Sequence, residues 1–200
     1  VAKLYFRYAA MNAGKSTALL QAAHNYEERG LRVRLFTAAV DDRRGAGMIA
    51  SRLGLSRQAE TFGASTSFDP AAVLAGAAPR PACLLIDEAQ FLTREQVRQL
   101  HRLVHRADIP VLCWGLRSDF QRHAFAGAAE LLTLADDLEE LKTICACGRK
   151  ASMNLRLDAQ GHRLTAGEQV LIGGNDRYRA VCPRCFYSDA GDTAAPGLFG

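Results

Sequence analysis

The sequence predicts an α/β fold, a parallel sheet flanked by helices, followed by a smaller unit built around cysteines. Three observations carry this. From Ala2 to about Glu140, short apolar runs alternate with amphipathic stretches, the rhythm of strands linked by crossover helices. The run Pro81–Asp87 is almost continuously apolar, as a strand covered on both faces requires. After Glu140 the texture changes to paired cysteines, glycine-bearing turns and no long helical period.

Taken in order, Ala2–Tyr8 reads as the first strand, with Leu4, Tyr5 and Phe6 suited to a pleated surface. Helical spacing runs from Lys15 to Arg29, where Leu19, Ala22, Ala23 and Tyr26 share a face, and Gly30 stands where a helix stops. Leu31–Thr37 is a second strand. Asp69-Pro70 predicts an N-cap followed by proline at the first helical position. Pro81–Asp87 is the third strand. Thr93 and Gln96 have capping-box spacing, and the helix they open carries Val97, Leu100, Leu103 and Val104 on one face. Ile109–Gly115 is a fourth strand, with Trp114 in its core-facing set. Residues 1–140 are thus expected to form an α/β domain, and 141–187 a second domain too small to build much core without metal. The small, polar 188–200 reads as a mobile tail.

Composition narrows the class of function. Of 200 residues, 48% are hydrophobic and 23% charged, and 25 basic against 21 acidic side chains leave +4. These values argue against a disordered chain, a collagen or a coiled coil. No apolar run reaches the ~18 residues of a membrane helix. Lys3 and Arg7 interrupt the opening apolar stretch, which argues against a secretory leader. The positive charge is mild and dispersed, apart from local pairs at Arg43-Arg44 and Arg149-Lys150, so no nucleic-acid partner is expected. Cys83 and Cys113 lie inside apolar runs and read as core residues. His24, His101, His105, His123 and His162 show no ligand spacing and read as solvated surface.

The chemistry concentrates in three places. Ala9-Ala10-Met11-Asn12-Ala13-Gly14-Lys15-Ser16-Thr17 follows the first strand and opens the first helix. This is the phosphate-binding P-loop pattern with Ala9 at its first glycine. Backbone N–H groups and the helix N-terminus would cradle phosphate oxygens, Lys15 would meet the β- and γ-phosphates, and Ser16 would bind Mg²⁺. Ala9 costs little provided its φ stays negative. Next, Leu84-Leu85-Ile86-Asp87-Glu88 is an apolar strand ending in two carboxylates. It is expected beside the first strand, with its C-terminal end facing the nucleotide. Asp87 would hold hydrated Mg²⁺, and Glu88 would take a proton from an attacking hydroxyl or orient a water.

Third, Cys145/Cys147 and Cys182/Cys185 form a Cys-x-Cys and a Cys-x-x-Cys pair. Four thiolates close a structural Zn²⁺ site; a thiol-redox pair and plain core cysteines are the alternatives. Between the pairs lies the stretch from Gly167 to Tyr178, containing Gly173-Gly174. Pinned at both ends by metal, it would make a lid over a substrate; a simple hairpin turned at Gly174-Asn175 fits as well.

Together these segments resemble the thymidine kinase family of the bacterial and animal-cytosolic type, over roughly Ala2 to Tyr187. The resemblance is carried by Met11-Asn12-Ala13-Gly14-Lys15-Ser16-Thr17, Tyr26-Glu27-Glu28-Arg29-Gly30, Ile86-Asp87-Glu88-Ala89-Gln90-Phe91-Leu92, Gly115-Leu116-Arg117-Ser118-Asp119-Phe120 and Ile172-Gly173-Gly174-Asn175-Asp176-Arg177-Tyr178. It implies a RecA-like core, a zinc-binding lasso domain and a cytoplasmic homotetramer. It implies transfer of the γ-phosphoryl of ATP to the 5′-hydroxyl of thymidine or deoxyuridine, with dTTP as feedback inhibitor. By position, Ala9, Ala10, Met11, Asn12, Ala13, Gly14, Lys15 and Ser16 would hold ATP, completed by Asp87, Glu88, Ala89 and Gln90. Glu88 would be the general base, acting with Lys15 and Asp87. Met11, Phe91, Leu116 and Phe120 would line the base pocket, and Leu171, Gly173 and Tyr178 would belong to the lasso. Cys145, Cys147, Cys182 and Cys185 would bind zinc. The first cysteine pair is one residue shorter than the animal pattern, and Cys185 stands where some relatives have histidine.

A second reading is a P-loop ATPase with a zinc ribbon that binds nucleic acid. It calls for a basic stripe with interleaved aromatics, which the dispersed Arg and Lys residues do not supply.

Overall fold

The computed structural model describes residues 1–41, 45, 47–170 and 177–188. A parallel six-stranded sheet has the order β5-β2-β6-β7-β1-β8. Its strands are β1 (Leu4–Ala9), β2 (Val33–Ala38), β5 (Glu60–Phe62), β6 (Cys83–Ile86), β7 (Val111–Leu116) and β8 (Asp137–Glu140). The four predicted strands are β1, β2, β6 and β7, each within about two residues of its expected start.

Period-two alternation sorts the core into two layers. Leu4, Phe6, Phe36, Leu84, Ile86, Val111 and Cys113 point to one face, under α3 (Arg94–Ala107) and α4 (Ala126–Leu134). Leu35, Cys83, Leu85, Leu112 and Trp114 point to the other, under Leu19, Leu20 and Ala23 of α1 (Lys15–Glu27). The central strands are apolar at every position because both of their faces are covered. Trp114, Cys83 and Cys113 are fully buried, as predicted. Helix α3 begins with the predicted capping box: Gln96 N–H donates to Thr93 Oγ1 (3.1 Å) and Thr93 N–H to Gln96 Oε1 (2.9 Å). Helix α2 (Pro70–Leu74) has proline in its first turn, but the Asp69 side chain makes no cap bond and instead meets Arg102 at 3.5 Å.

One expectation is corrected. The strand ending at Asp87 does not lie beside β1; β7 intervenes, and the neighbours of β1 are β7 and β8. The functional consequence survives because all these strands are parallel, so their C-terminal ends share one edge. Several further pieces went unread in the sequence, the edge strand β5 among them. Strand β8, with sequence DLEE, is largely exposed and joins through backbone pairing to β1. The β3 (Met48–Ala50) and β4 (Ser56–Gln58) hairpin stands off the main sheet, with Ile49 in the α1 core layer. Helix α4 lacks a polar N-cap, Phe125 standing there.

Beyond β8 are two small antiparallel sheets. One pairs β9 (Thr143–Ile144) with β10 (Lys150–Ala151). The other has the order β12-β11-β13, with β11 (Met153–Leu157), β12 (Arg163–Leu164) and β13 (Tyr178–Val181). With α5 (Pro183–Tyr187) they enclose a separate apolar cluster that contains Cys145, Leu155, Val181, Cys182 and Phe186.

Candidate active site

The loop between β1 and α1 takes its shape from two left-handed residues, Asn12 (φ 64°) and Gly14 (φ 79°). Ala9, at the end of β1, is not among the positive-φ residues, so an alanine serves where the motif has glycine. A Cβ on Gly14 would meet nothing within 4 Å; its φ is what calls for glycine. Lys15 opens α1 and is buried.

Ser16 Oγ donates to Asp87 Oδ2 at 2.9 Å, joining the phosphate loop to the end of β6. Asp87 is buried, and its carboxyl is pushed up from 3.8 to about 7, first by desolvation and then by the neighbouring Glu88 charge, against the pull of Ser16 and Lys15. A buried carboxylate of this kind is poised to exchange its proton for a cation. Glu88 has left-handed backbone (φ 52°), and its N–H donates to Asp87 Oδ1 at 3.0 Å. That turn aims the two side chains differently, leaving Asp87 under the loop and Glu88 half-buried at a cavity.

Gln90 fixes Glu88. Its Nε2 donates to Glu88 Oε2 (2.5 Å), and its Oε1 accepts from Leu116 N–H (3.0 Å) at the end of β7. The approach is close: a Cβ on Gly115 would sit 2.8 Å from Gln90 Oε1, and one on Gly127 of α4 would sit 2.5 Å from Leu92 O and 2.9 Å from Ala89 O. These two glycines let β7 and α4 press on the short helix Ala89–Phe91 that follows Glu88.

A cavity of about 180 Å³ brings together Lys15, Asp87 and Glu88 with Met11, Asn12, Gln90, Phe91, Leu116, Phe120 and Tyr178. An open groove adjoins it along Asn12, Ala13, Gly14, Lys15, Ser16 and Arg52. Ala9, Ala10 and Ala89 are buried and line neither. Leu171 and Gly173, with Gly174 and the hairpin considered there, lie outside the described residues, as does the segment 189–200.

Sequence reasoning missed the polar wall of this cavity. Asn154 on β11 accepts from Met11 N–H (2.8 Å) and donates to Ser118 O (3.2 Å), tying the β11 sheet to the phosphate loop. Asp119 accepts from the N–H groups of Gln121 and His123 (both 2.8 Å) and from Gln169 Nε2 (3.0 Å). Arg156 is buried behind the wall. It donates to Tyr178 Oη (2.9 Å), Glu168 O (2.6 Å) and Gln169 O (3.2 Å), and its guanidinium lies 4.0 Å over the Phe120 ring. The available signal was two polar residues at i, i+2 in an otherwise apolar strand, Asn154 and Arg156.

The four cysteines converge, with their sulfurs all within 4.8 Å of one another. Cys147 and Cys182 sulfurs are 3.6 Å apart, near the ~3.8 Å edge of a tetrahedron with ~2.3 Å Zn–S bonds. None is in a disulfide. The backbone N–H of Arg149 pulls the Cys147 thiol down while the neighbouring sulfurs push that of Cys185 up, as close thiols sharing protons do. The donor set fits Zn²⁺. His105 is exposed and His101 half-buried, in line with a surface reading, although the two lie one turn apart on α3 with their ligand atoms within 4.8 Å of Asp136. His24, His123 and His162 are exposed.

A phosphate loop, a carboxylate pair at the end of β6 on the same sheet edge and a cavity lined by both define a P-loop nucleotide-binding site. A family model described as thymidine kinase matches residues 2–186. The chain is 61% identical to a thymidine kinase of Albidiferax ferrireducens over 95% of its own length and 94% of that protein's. It is 59% identical to one of Chromobacterium violaceum (94% and 100%) and 54% identical to one of Escherichia coli O157:H7 (95% and 92%). The chain belongs to the thymidine kinase family.

Proposed function

We propose that the chain transfers the γ-phosphoryl group of ATP to the 5′-hydroxyl of thymidine, giving dTMP and ADP, with deoxyuridine as a second acceptor. The observation that carries this is the position of Glu88. It is held by Gln90 at a cavity that has Lys15 and Asp87 among its polar groups and Met11, Phe91, Leu116 and Phe120 among its apolar ones. An alcohol acceptor needs a base within reach and a site that keeps water out.

In this reading Glu88 accepts the 5′-hydroxyl proton as that oxygen bonds to phosphorus and the β–γ bridging bond breaks. Lys15 and the loop N–H groups from Asn12 to Ser16, which border the open groove, balance the charge on the phosphate oxygens. Mg²⁺, held through Ser16 and Asp87, would neutralise the phosphates further. Asn154 and Asp119 fix the walls, and Tyr178 closes the cavity from the β11 side. Residues 1–140 act as the nucleotide-binding domain, and 141–187 as a lasso domain whose structural Zn²⁺, on Cys145, Cys147, Cys182 and Cys185, ties both ends of the stretch from 148 to 181. Feedback inhibition by dTTP, a homotetramer and a cytoplasmic location belong to the same reading and rest on the family. No helix among the described residues is long and apolar enough to cross a membrane.

The test is ATP turnover with and without thymidine. ADP formation that depends on thymidine and matches dTMP one for one is expected. Thymidine-independent hydrolysis, stimulated by nucleic acid, would favour the ATPase reading instead.

A further inference from the structure

We propose a second metal site, for a first-row divalent cation of the zinc type, formed by His101, His105 and Asp136 and sharing no residue with the cysteine cluster. The two histidines occupy i and i+4 on α3, so they project from one helix face, the spacing helical two-histidine metal sites use. Asp136 comes from a different part of the chain, between α4 and β8. The three ligand atoms all lie within 4.8 Å of one another.

The carboxylate is placed in advance. Asp136 N–H donates to Leu4 O (2.9 Å), and Asp136 Oδ2 accepts from Leu4 N–H (2.8 Å), so the residue is clamped to the first position of β1. Its Oδ1 makes no hydrogen bond among the described residues. His105 Nε2 stands 3.4 Å from Asp136 Oδ2. Metal–ligand bonds of ~2.0–2.1 Å in a tetrahedron put neighbouring ligand atoms about 3.3 Å apart, so this pair already has the spacing. His101 stands beside this pair, its ligand nitrogen within 4.8 Å of the other two ligand atoms and its ring edge-on to that of His105, with centroids 4.5 Å apart. An ordinary ion pair between His105 and Asp136 would leave His101 with no polar partner among the described residues.

The donor set selects the ion. Two imidazoles and one carboxylate suit Zn²⁺, Co²⁺, Ni²⁺ or Cu²⁺ better than Mg²⁺ or Ca²⁺, which prefer oxygen ligands. Three protein ligands leave a position for water. The His105 and Asp136 side chains are 39% and 28% exposed, open enough for an ion to enter and leave. The site therefore exchanges metal more readily than four buried or half-buried thiolates. A bound ion would cross-link the last turns of α3 to the start of β1 and its paired edge strand β8, which α3 otherwise meets through packing and the Ala2 N–H bond to Asp108 just past its end.

The experiment uses the full chain, purified with its cysteine-bound metal and titrated with Zn²⁺ against a chromophoric indicator, alongside the His101→Ala/His105→Ala double variant. The expected result is one further equivalent at micromolar Zn²⁺ in the parent chain, a metal-dependent rise in melting temperature, and affinity weaker by roughly tenfold or more in the variant. The variant should keep its melting temperature without added metal, and its thiol titre should match the parent's, which separates this site from the cysteine site. No further equivalent in the parent chain, or equal uptake and equal thermal shift in the variant, overturns the proposal.

Discussion

Arg156 offers the most direct test of how the cavity is held. It is a buried cation that makes no ion pair among the described residues. Its charge is met by two backbone carbonyls, the Tyr178 hydroxyl and the faces of Phe120 and Tyr178. Three residues it touches, Phe120, Gln169 and Tyr178, line the cavity, whereas Arg156 does not. Replacing it with methionine keeps much of the volume and removes every polar contact. Two carbonyls and a phenol then lose a charged donor, each such bond being worth about 1.5–3 kcal/mol, and the stacking on Phe120 adds about 1–2 kcal/mol. Part of that total will appear as lower stability and part as disorder in the wall.

If only about 1.4–2.8 kcal/mol reaches the pocket, thymidine binding weakens about 10- to 100-fold. ATP, held by the phosphate loop across the cavity, should keep its KM within about twofold, the scatter expected of a site with no shared partner. Lysine at this position keeps the charge but not the planar fork, so Arg156→Lys should recover little. The assay is steady-state kinetics with each substrate varied, backed by direct thymidine binding and a melting curve. An unchanged thymidine KM in a folded Arg156→Met chain would refute the reasoning, as would an equal rise in both KM values.

Three further outcomes are expected. Glu88→Gln should lower kcat by about 10²–10⁴-fold while nucleotide binding persists; turnover close to that of the parent would remove Glu88 as base. Asp87, raised from 3.8 to about 7 in the folded chain, keeps its proton while the unfolded chain releases its own. Its contribution is therefore fully present below pH ~4 and is lost as pH rises toward ~7. In Mg²⁺-free buffer, Asp87→Asn should be more stable than the parent above pH ~7 and equal to it below pH ~4, yet inactive; melting curves showing no such pH-dependent gap would contradict the burial argument. Burial pushes the Cys83 thiol up to about 12 and raises Cys113 as well. Zinc removal should therefore expose Cys145, Cys147, Cys182 and Cys185 to a thiol reagent and leave the other two protected until unfolding. Six thiols reacting at one rate would count against a metal-held cluster.

Much of the core was legible because its signals are local. The apolar runs of β6 and β7, the Thr93–Gln96 capping box and the Gly14-Lys15-Ser16-Thr17 turn each carry their instruction within a few residues. Strand β8 was not legible, because DLEE has neither apolar alternation nor β propensity; it is a strand only because β1 offers it a ladder. The order β6-β7-β1 was misjudged for a related reason, since strand adjacency depends on which crossovers pack, and the chain order of apolar runs does not record that. The cavity's two carboxylates, Asp87 and Glu88, were read from position, but its polar wall was not. Asn154 acts through partners 36 and 143 residues away, Asp119 through one 50 away and Arg156 through ones 12 to 22 away, and no short window displays such a pairing. The meeting of His101 and His105 with Asp136 escaped for the same reason.

The position of Glu88, the proposed base, depends on contacts that look purely structural. Glu88 is aimed by a left-handed turn and by Gln90, and Gln90 is held by the Leu116 N–H. That bond can form only because β7 reaches the short helix without a Cβ at Gly115, while α4 presses the same helix from another side without a Cβ at Gly127. Rigid packing leaves little room for a compensating shift, and proton transfer tolerates little misplacement. The two glycines therefore set the position of Glu88, although neither lines the cavity. Catalytic geometry here is a consequence of how closely a strand and a helix can approach one turn of backbone, and a side chain added at either point would be felt at the carboxylate before it was felt in the core.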